Sequence, residues 1–341
     1  MWVGLFMERF KSVGIVGLGQ IGGSLALALR GKVALSGFDI DASSREFGDS
    51  IGVVILDSLN EIIATCDLLI FAVPADVFLG LLGEVAKSKL NKPLVICDVC
   101  STKSDIDFEV AKHNFDPDIV RYVGLHPLAG NERPGPSGAQ ESLFVSKTVV
   151  VSSGSATDAG SSLFVSSFLI ELLGVKILYV DPKTHDVITS STIDLPHIFA
   201  YLASTFANEI RDQSLMHLLS GNSLGDVTRV ARSSSKMVAS FLFANRHQVV
   251  KSLEAVPLQI DKFISALEYE DDTKLQGLLE SYAPSPILST RVFVQMKHST
   301  RNEFEVQQAI YELEKAQILI EALHFGSDDI SVSGTMATNA T

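Results

Sequence analysis

Ser12-Val13-Gly14-Ile15-Val16-Gly17-Leu18-Gly19-Gln20-Ile21-Gly22 is an apolar run that breaks into glycines and resumes, from Ile21 to Arg30, with helical character. Gly17, Gly19 and Gly22 keep the spacing G-x-G-x-x-G between a predicted strand and a predicted helix. The first glycine permits a tight turn, the second lets a diphosphate approach the backbone, and the third lets helix pack on strand. A diphosphate seated there meets the positive helix N-terminus begun by Gln20 and Ile21. Asp39 stands 20 residues beyond Gly19, at the end of a second predicted strand, Val33 to Phe38. A carboxylate at that point binds a ribose 2′-hydroxyl and repels a 2′-phosphate, so the expected dinucleotide is NAD rather than NADP. The plainer reading of Asp39 is an acidic turn residue in an ordinary α/β protein.

Outward from this turn, short apolar runs alternate with helical stretches as far as about residue 180, as a parallel sheet requires. Asp67 to Val73 and Leu94 to Val99 are continuous apolar runs, typical of strands covered on both faces. Val120 to Leu125, Thr148 to Ser152 and Val175 to Val180 are the later predicted strands. The strand end Ala72-Val73-Pro74 places Val73 and Pro74 with the cofactor. Asp181-Pro182 is a helix start, and only helices are expected from there to Tyr282, with Leu195, Ile198, Phe199, Leu202 and Phe206 on one face. The fold class is therefore an α/β Rossmann-type domain over 11–180, followed by an all-α substrate and dimerisation domain over 181–285. A helical extension over 286–326 is expected next, broken from it by Pro284-Ser285-Pro286 and dominated by one helix from Glu303 to Phe325. Residues 327–341, small and polar, are expected to be disordered and dispensable for assembly and activity.

With 341 residues and 46% apolar content, the chain can build two cores. Its 40 acidic and 27 basic residues give a net charge of −13, which argues against nucleic acid or an anionic membrane as partner. Met1 to Phe10 lacks a cationic lead and carries Glu8 and Arg9 where a signal segment continues apolar, and no stretch approaches a membrane span. Three cysteines cannot frame disulfides, and Cys97 and Cys100, three apart in a strand-like run, are expected as buried free thiols rather than metal ligands. No metal is expected, and the compartment is the cytoplasm.

The segment Gly124-Leu125-His126-Pro127-Leu128-Ala129-Gly130, followed by Glu132, Gly138 and Leu143-Phe144, reads as a strand ending in a loop. A histidine at the C-terminal edge of a parallel sheet is placed to meet a ligand. Asp98-Val99-Cys100-Ser101-Thr102-Lys103, Leu195-Pro196-His197 and Asp226-Val227-Thr228-Arg229 are three further motifs. Together, in this order, they resemble the prephenate/arogenate dehydrogenase family of tyrosine biosynthesis, from about Lys11 to Pro284. The resemblance implies NAD-dependent oxidative decarboxylation of prephenate, a small dianion, to 4-hydroxyphenylpyruvate, or of arogenate to tyrosine, by a homodimer. It implies His126 as acceptor of the C4 hydroxyl proton and Ser101 as its hydrogen-bonding neighbour. Arg229 is implied to grip a substrate carboxylate, and His197 to line the pocket from the helical domain. Outside the resemblance, Ser101 reads as a helix N-cap, His197 as a satisfied core histidine and Arg229 as one end of a surface salt bridge.

The sequence departs from the family at Ile193-Asp194, where many members carry serine-histidine, and at Ser234-Ser235-Lys236-Met237-Val238. Both lie in the substrate half and bear on prephenate versus arogenate. From Ile287 onward the chain reads as too short and too helical for the regulatory ACT domain some members append. Two other readings remain: a hydroxy-acid or imino-acid dehydrogenase of the same plan, which needs no His126 loop, and a non-catalytic NAD-sensing dimer, which needs no proton acceptor.

Overall fold

The computed structural model describes residues 10–283, 287–296, 303–325 and 329–339. The expectations for residues 1–9 and for the Pro284-Ser285-Pro286 break lie outside them. The strands are β1 (Ser12–Val16), β2 (Ala34–Phe38), β3 (Val54–Ile55), β4 (Leu68–Phe71), β5 (Leu94–Asp98), β6 (Val120–Pro127), β7 (Thr148–Ser152) and β8 (Lys176–Val180), then β9 (Ile287–Met296), β10 (Ile318–Phe325) and β11 (Ile330–Asn339). They form one sheet in the order β3-β2-β1-β4-β5-β6-β7-β8-β10-β11-β9. From β3 to β6 neighbouring strands are parallel, in the doubly wound nucleotide-binding order. Successive strand residues feed two separate cores, one on each face: Val13, Ile15, Leu68 and Ile70 in one, Val16, Leu69 and Phe71 in the other. That double burial is the reason these runs are apolar throughout.

The wholly parallel sheet expected to residue 180 is corrected at β7, which pairs antiparallel with β6. A parallel step needs a crossover helix. Between β6 and β7 the chain has only a 3-10 turn, Gly135–Gly138, and returns beside its own strand. β8 then pairs parallel with β7 through the long helix Ala159–Leu173.

The larger correction is at the C-terminus. The extension expected to be helical, and the tail expected to be disordered, form a helix and three strands. The helix Glu303–Ala316 buries Val306, Ile310 and Leu313, as its periodicity predicts. It stops at Gln317, whose φ of +50° is left-handed, and β10 begins at the next residue. Ile320 of β10 pairs with Ile177 of β8, and β10 pairs antiparallel with β11. In β11 Ile330 and Val332 have no exposed surface, while Ser331 and Ser333 face away from the core. Period-two alternation won over composition. The close pairing also needs Gly334, where a Cβ would stand 2.3 Å from the Leu319 carbonyl oxygen.

The molecule divides into two compact units. The first holds most of the sheet, with described residues in 1–185, 233–244 and 291–336; the second holds 186–232, 245–290 and the end of β11 from Ala337. Within 186–283 every regular element is helical, as expected. Asp181 caps the start of the helix Pro182–Thr189 by accepting from the backbone N–H groups of Lys183 and Thr184 at 3.1 and 3.0 Å. A π-helical turn, Ser190–Asp194, leads into the helix Leu195–Asn208. Among the described residues no helix is long and apolar enough to cross a membrane. Cys66, Cys97 and Cys100 are free and buried, as expected of Cys97 and Cys100.

Candidate active site

Strand register builds the site. Phe38, Val16, Phe71, Asp98 and Gly124 are partners in one row across β2, β1, β4, β5 and β6. The residues just beyond that row therefore emerge at one C-terminal sheet edge, where open α/β sheets bind ligands. They are Asp39 after β2, Gly17 after β1, Val73 and Pro74 after β4, Ser101 after β5, and His126 near the end of β6. The five segments span 110 residues of sequence from Gly17 to His126.

The glycine turn has the form a dinucleotide needs. Gly17 takes φ +91°, and a Cβ there would stand 2.5 Å from the Ala72 carbonyl oxygen and 2.8 Å from Val73 Cγ1. A Cβ on Gly22 would overlap the Gly17 carbonyl oxygen at 1.8 Å, which is the close helix-to-strand approach expected of the third glycine. A Cβ on Gly19 would meet nothing nearer than Gly135 Cα at 4.0 Å, so the backbone there is open to a ligand. Gly19 is also the N-cap of the helix Gln20–Leu29 and supplies no side-chain cap, which leaves the first N–H donors for a diphosphate. Asp39 receives the Leu18 N–H at 2.6 Å on Oδ2 and the Asp41 N–H at 2.8 Å on Oδ1, which fixes the carboxylate beside the turn. Pro74 caps the helix Ala75–Lys87. The donors, the open glycine and the placed carboxylate fit NAD.

His126 is buried, and its Nδ1 lies 2.9 Å from Nε2 of His185 with the rings edge to face. His185 sits one turn into the helix that Asp181-Pro182 starts. The helix start is legible in the sequence and the histidine is not, because nothing local marks a pairing made across 59 residues. Burial first, then the charges of His185 and Lys103, hold the His126 imidazole well below the usual histidine value. It is therefore neutral at neutral pH.

Ser101 is half-buried in the turn after β5. It is not a helix N-cap: the following helix, Ser104–Lys112, has Lys103 in that position. The turn hangs on Asp98, which has no exposed surface. Its Oδ1 accepts from Lys103 Nζ at 2.5 Å and from the Cys100 N–H at 2.8 Å, and its Oδ2 from the Tyr122 hydroxyl at 2.6 Å. Burial, and then the Asp98 charge, push the Tyr122 hydroxyl far above its ordinary value, so it stays a donor. A buried carboxylate with three donors is satisfied, and the D-x-x-S-x-K spacing is what brings two of them within reach.

His197 and Arg229 belong to the second unit. His197 is half-buried in the first turn of the helix Leu195–Asn208, and its Nδ1 donates to the Ile193 carbonyl at 2.8 Å. The residue that departs from the family beside it, Asp194, is buried and receives a hydrogen bond from Asn245 Nδ2 at 2.8 Å. Burial raises its carboxyl to about 6. Arg229 is exposed and opens the 3-10 turn Arg229–Arg232.

Two family models match the chain: "Prephenate dehydrogenase, nucleotide-binding domain" over residues 24–179, and "Prephenate dehydrogenase, dimerization domain" over 181–281. The chain is 31% identical to a prephenate dehydrogenase of Lactococcus lactis subsp. cremoris, over 79% of this chain and 75% of that protein. It is 30% identical to a prephenate dehydrogenase of Bacillus subtilis, over 79% of this chain and 74% of the relative. Among solved structures, prephenate dehydrogenase of A. aeolicus, in complex with hydroxyphenyl propionate and NAD+, shares the fold with a TM-score of 0.68. The match covers 80% of this chain and 95% of that one, at 24% identity.

Proposed function

This chain belongs to the prephenate dehydrogenase family, and we propose that it oxidises prephenate with NAD, releasing CO2, NADH and 4-hydroxyphenylpyruvate. The observation that carries the reading is a buried, neutral His126 emerging at the same sheet edge as a dinucleotide turn. NAD, when bound, supplies the hydride acceptor. Gly17, Gly19 and Gly22 shape its seat, the backbone N–H groups of Gln20 and Ile21 face the diphosphate, and Asp39 takes the ribose hydroxyls. Val73 and Pro74 border the seat.

His126 is the proton acceptor. If its Nδ1–H donates to His185, its Nε2 lone pair is left for the substrate C4 hydroxyl. As that proton moves to Nε2 and C4 loses hydride, the ring carboxylate departs as CO2, its bonding pair completes the aromatic ring, and Nε2 returns the proton to the phenolate oxygen. Removing the proton in step avoids forming a protonated carbonyl, the usual gain of general base catalysis. Ser101, held by the Asp98 turn, hydrogen-bonds the same hydroxyl or His126. Arg229 grips a substrate carboxylate with a permanently charged, planar fork, which a protein of net charge −13 needs for a dianion. His197 lines the substrate pocket from the helical unit. The working form is a homodimer joined through the helical unit, and three free cysteines support a cytoplasmic setting.

The test is to incubate the protein with NAD and prephenate while following NADH absorbance and CO2 release, with arogenate and NADP in parallel. NADH and CO2 should appear together with prephenate. NAD should be favoured over NADP in kcat/KM by at least about tenfold, or ~1.4 kcal/mol. Faster turnover of arogenate would reassign the substrate. NAD binding with no turnover of either compound would favour the nucleotide-sensing reading.

A further inference from the structure

The Gln20 side chain reaches away from the turn that its own backbone completes. Its Nε2 donates to the Asn131 carbonyl at 2.9 Å, to Asn131 Oδ1 at 2.7 Å and to the Arg133 carbonyl at 2.7 Å. Its Oε1 accepts from the Asn131 N–H at 3.2 Å. Asn131 closes the same loop on itself, with Oδ1 accepting from the Arg133 N–H and Nδ2 donating to the Gly138 carbonyl, both at 2.9 Å. One turn further along the helix, Ser24 Oγ accepts from the Gln140 N–H at 3.0 Å. So both amide ends of Gln20, and Ser24 behind it, are committed to the loop over residues 130–140.

The packing is built around these bonds. A Cβ on Gly138 would stand 2.6 Å from Gln20 Nε2 and 2.2 Å from the Arg133 carbonyl oxygen, so glycine there makes room for the amide. A Cβ on Gly23 would press on Ala139 Cβ at 3.0 Å. On the ligand side, Gly135 Cα is the nearest atom to the open face of Gly19, at 4.0 Å. The loop thus lies along the first turn of the helix Gln20–Leu29 and beside the glycine a diphosphate approaches. It begins three residues after the end of β6 at Pro127 and four after His126.

We infer that Gln20 is a positioning residue: its side chain couples the dinucleotide turn to the loop that follows His126, so that bound NAD orders the end of β6 where substrate reacts. The coupling is reciprocal: prephenate, by fixing the loop, should tighten NAD by the same factor as NAD tightens prephenate. The inference rests on the glycine turn being the NAD site.

Gln20→Met keeps the length and removes every polar contact, and Asn131→Ala removes the loop's side of the clasp. Backbone amide exchange over residues 128–141 is measured with and without NAD, NADH affinity by its fluorescence, and kinetics with prephenate. In the unaltered protein NAD should slow exchange in this loop. In Gln20→Met and in Asn131→Ala that slowing should vanish and kcat/KM for prephenate should drop at least about tenfold, while NADH affinity in Asn131→Ala, which leaves the dinucleotide turn intact, stays within about threefold. The double variant should be no worse than the worse single one, as expected of two ends of one interaction. A Gln20→Met loop that still slows with NAD, losses that add in the double variant, or NADH affinity lost in Asn131→Ala would each overturn the coupling. Exchange and NADH binding need no turnover. A protein inert toward prephenate that still shows them loses the proposed reaction and keeps the clasp.

Discussion

In the proposed mechanism His126 spends one ring nitrogen on His185 and keeps the other for chemistry, and its environment decides when that nitrogen carries a proton. Burial and two neighbouring charges depress its pKa, so the imidazole stays neutral to a lower pH than an ordinary histidine. The neutral form is the base, and activity falls only as pH drops through the depressed value. The acid limb of kcat should therefore lie below the ordinary histidine value of ~6.5, where the sequence alone would set it. His126→Asn keeps a hydrogen-bonding group and cannot take the proton. It should lower kcat by roughly 10²–10⁴-fold with little change in KM, and the acid limb should disappear. A variant with near-normal kcat, or one that keeps the limb, would move the proton to another group, with His197 next in line. His126, Ser101, Asp39 and the glycines were legible because each sits in a motif of short span. His185 and the side-chain role of Gln20 were not, because their partners come from the fold: β8 and its helix return one histidine to the other, and the loop after β6 folds back onto the first helix.

At the scale of elements, the nucleotide half was readable and the C-terminal strands were not. Buried parallel strands announce themselves as unbroken apolar runs such as Leu68-Leu69-Ile70-Phe71. β11 shows the core only every second residue and fills the gaps with serine, glycine and threonine, which composition alone reads as a solvated tail. β10 follows its helix after a single residue, and its apolar content continues the helical count. The consequence reverses the expectation of a dispensable tail. Deleting 327–341 removes Ile330 and Val332 from the core and strips β10 of one of its two partner strands. The truncated protein should unfold at lower urea and lose yield. As a gentler probe, Ile330→Ala should cost about 2–5 kcal/mol, the range for truncating a fully buried aliphatic side chain. Unfolding curves that superimpose on wild type would show that β11 contributes nothing to stability.

For the molecule as a whole, the apolar surface on the helical unit has to be accounted for. Phe199, Leu202 and Phe206 recur at helical spacing along Leu195–Asn208, yet they are 39%, 46% and 69% exposed. Leu218 and Leu219, at 83% and 76%, and Leu267 in the same unit repeat the pattern. A monomer in water rarely leaves so many large apolar side chains uncovered, and covering them with a second copy removes that surface at about 25 cal/mol per Å². The match of residues 181–281 to a dimerization domain points the same way. Sedimentation at micromolar concentration should accordingly give twice the 36.8 kDa chain mass. Phe206→Glu places a carboxylate where the proposed contact excludes water, so it should shift the equilibrium to monomer. The sheet unit, which does not contain Phe206, should retain NADH binding through Gly19 and Asp39. A wild-type protein that sediments as a monomer would remove the interface altogether. A Phe206→Glu protein that stays dimeric would move it off this helix and onto the other exposed faces of the unit, with Leu218 and Leu219 the first to alter.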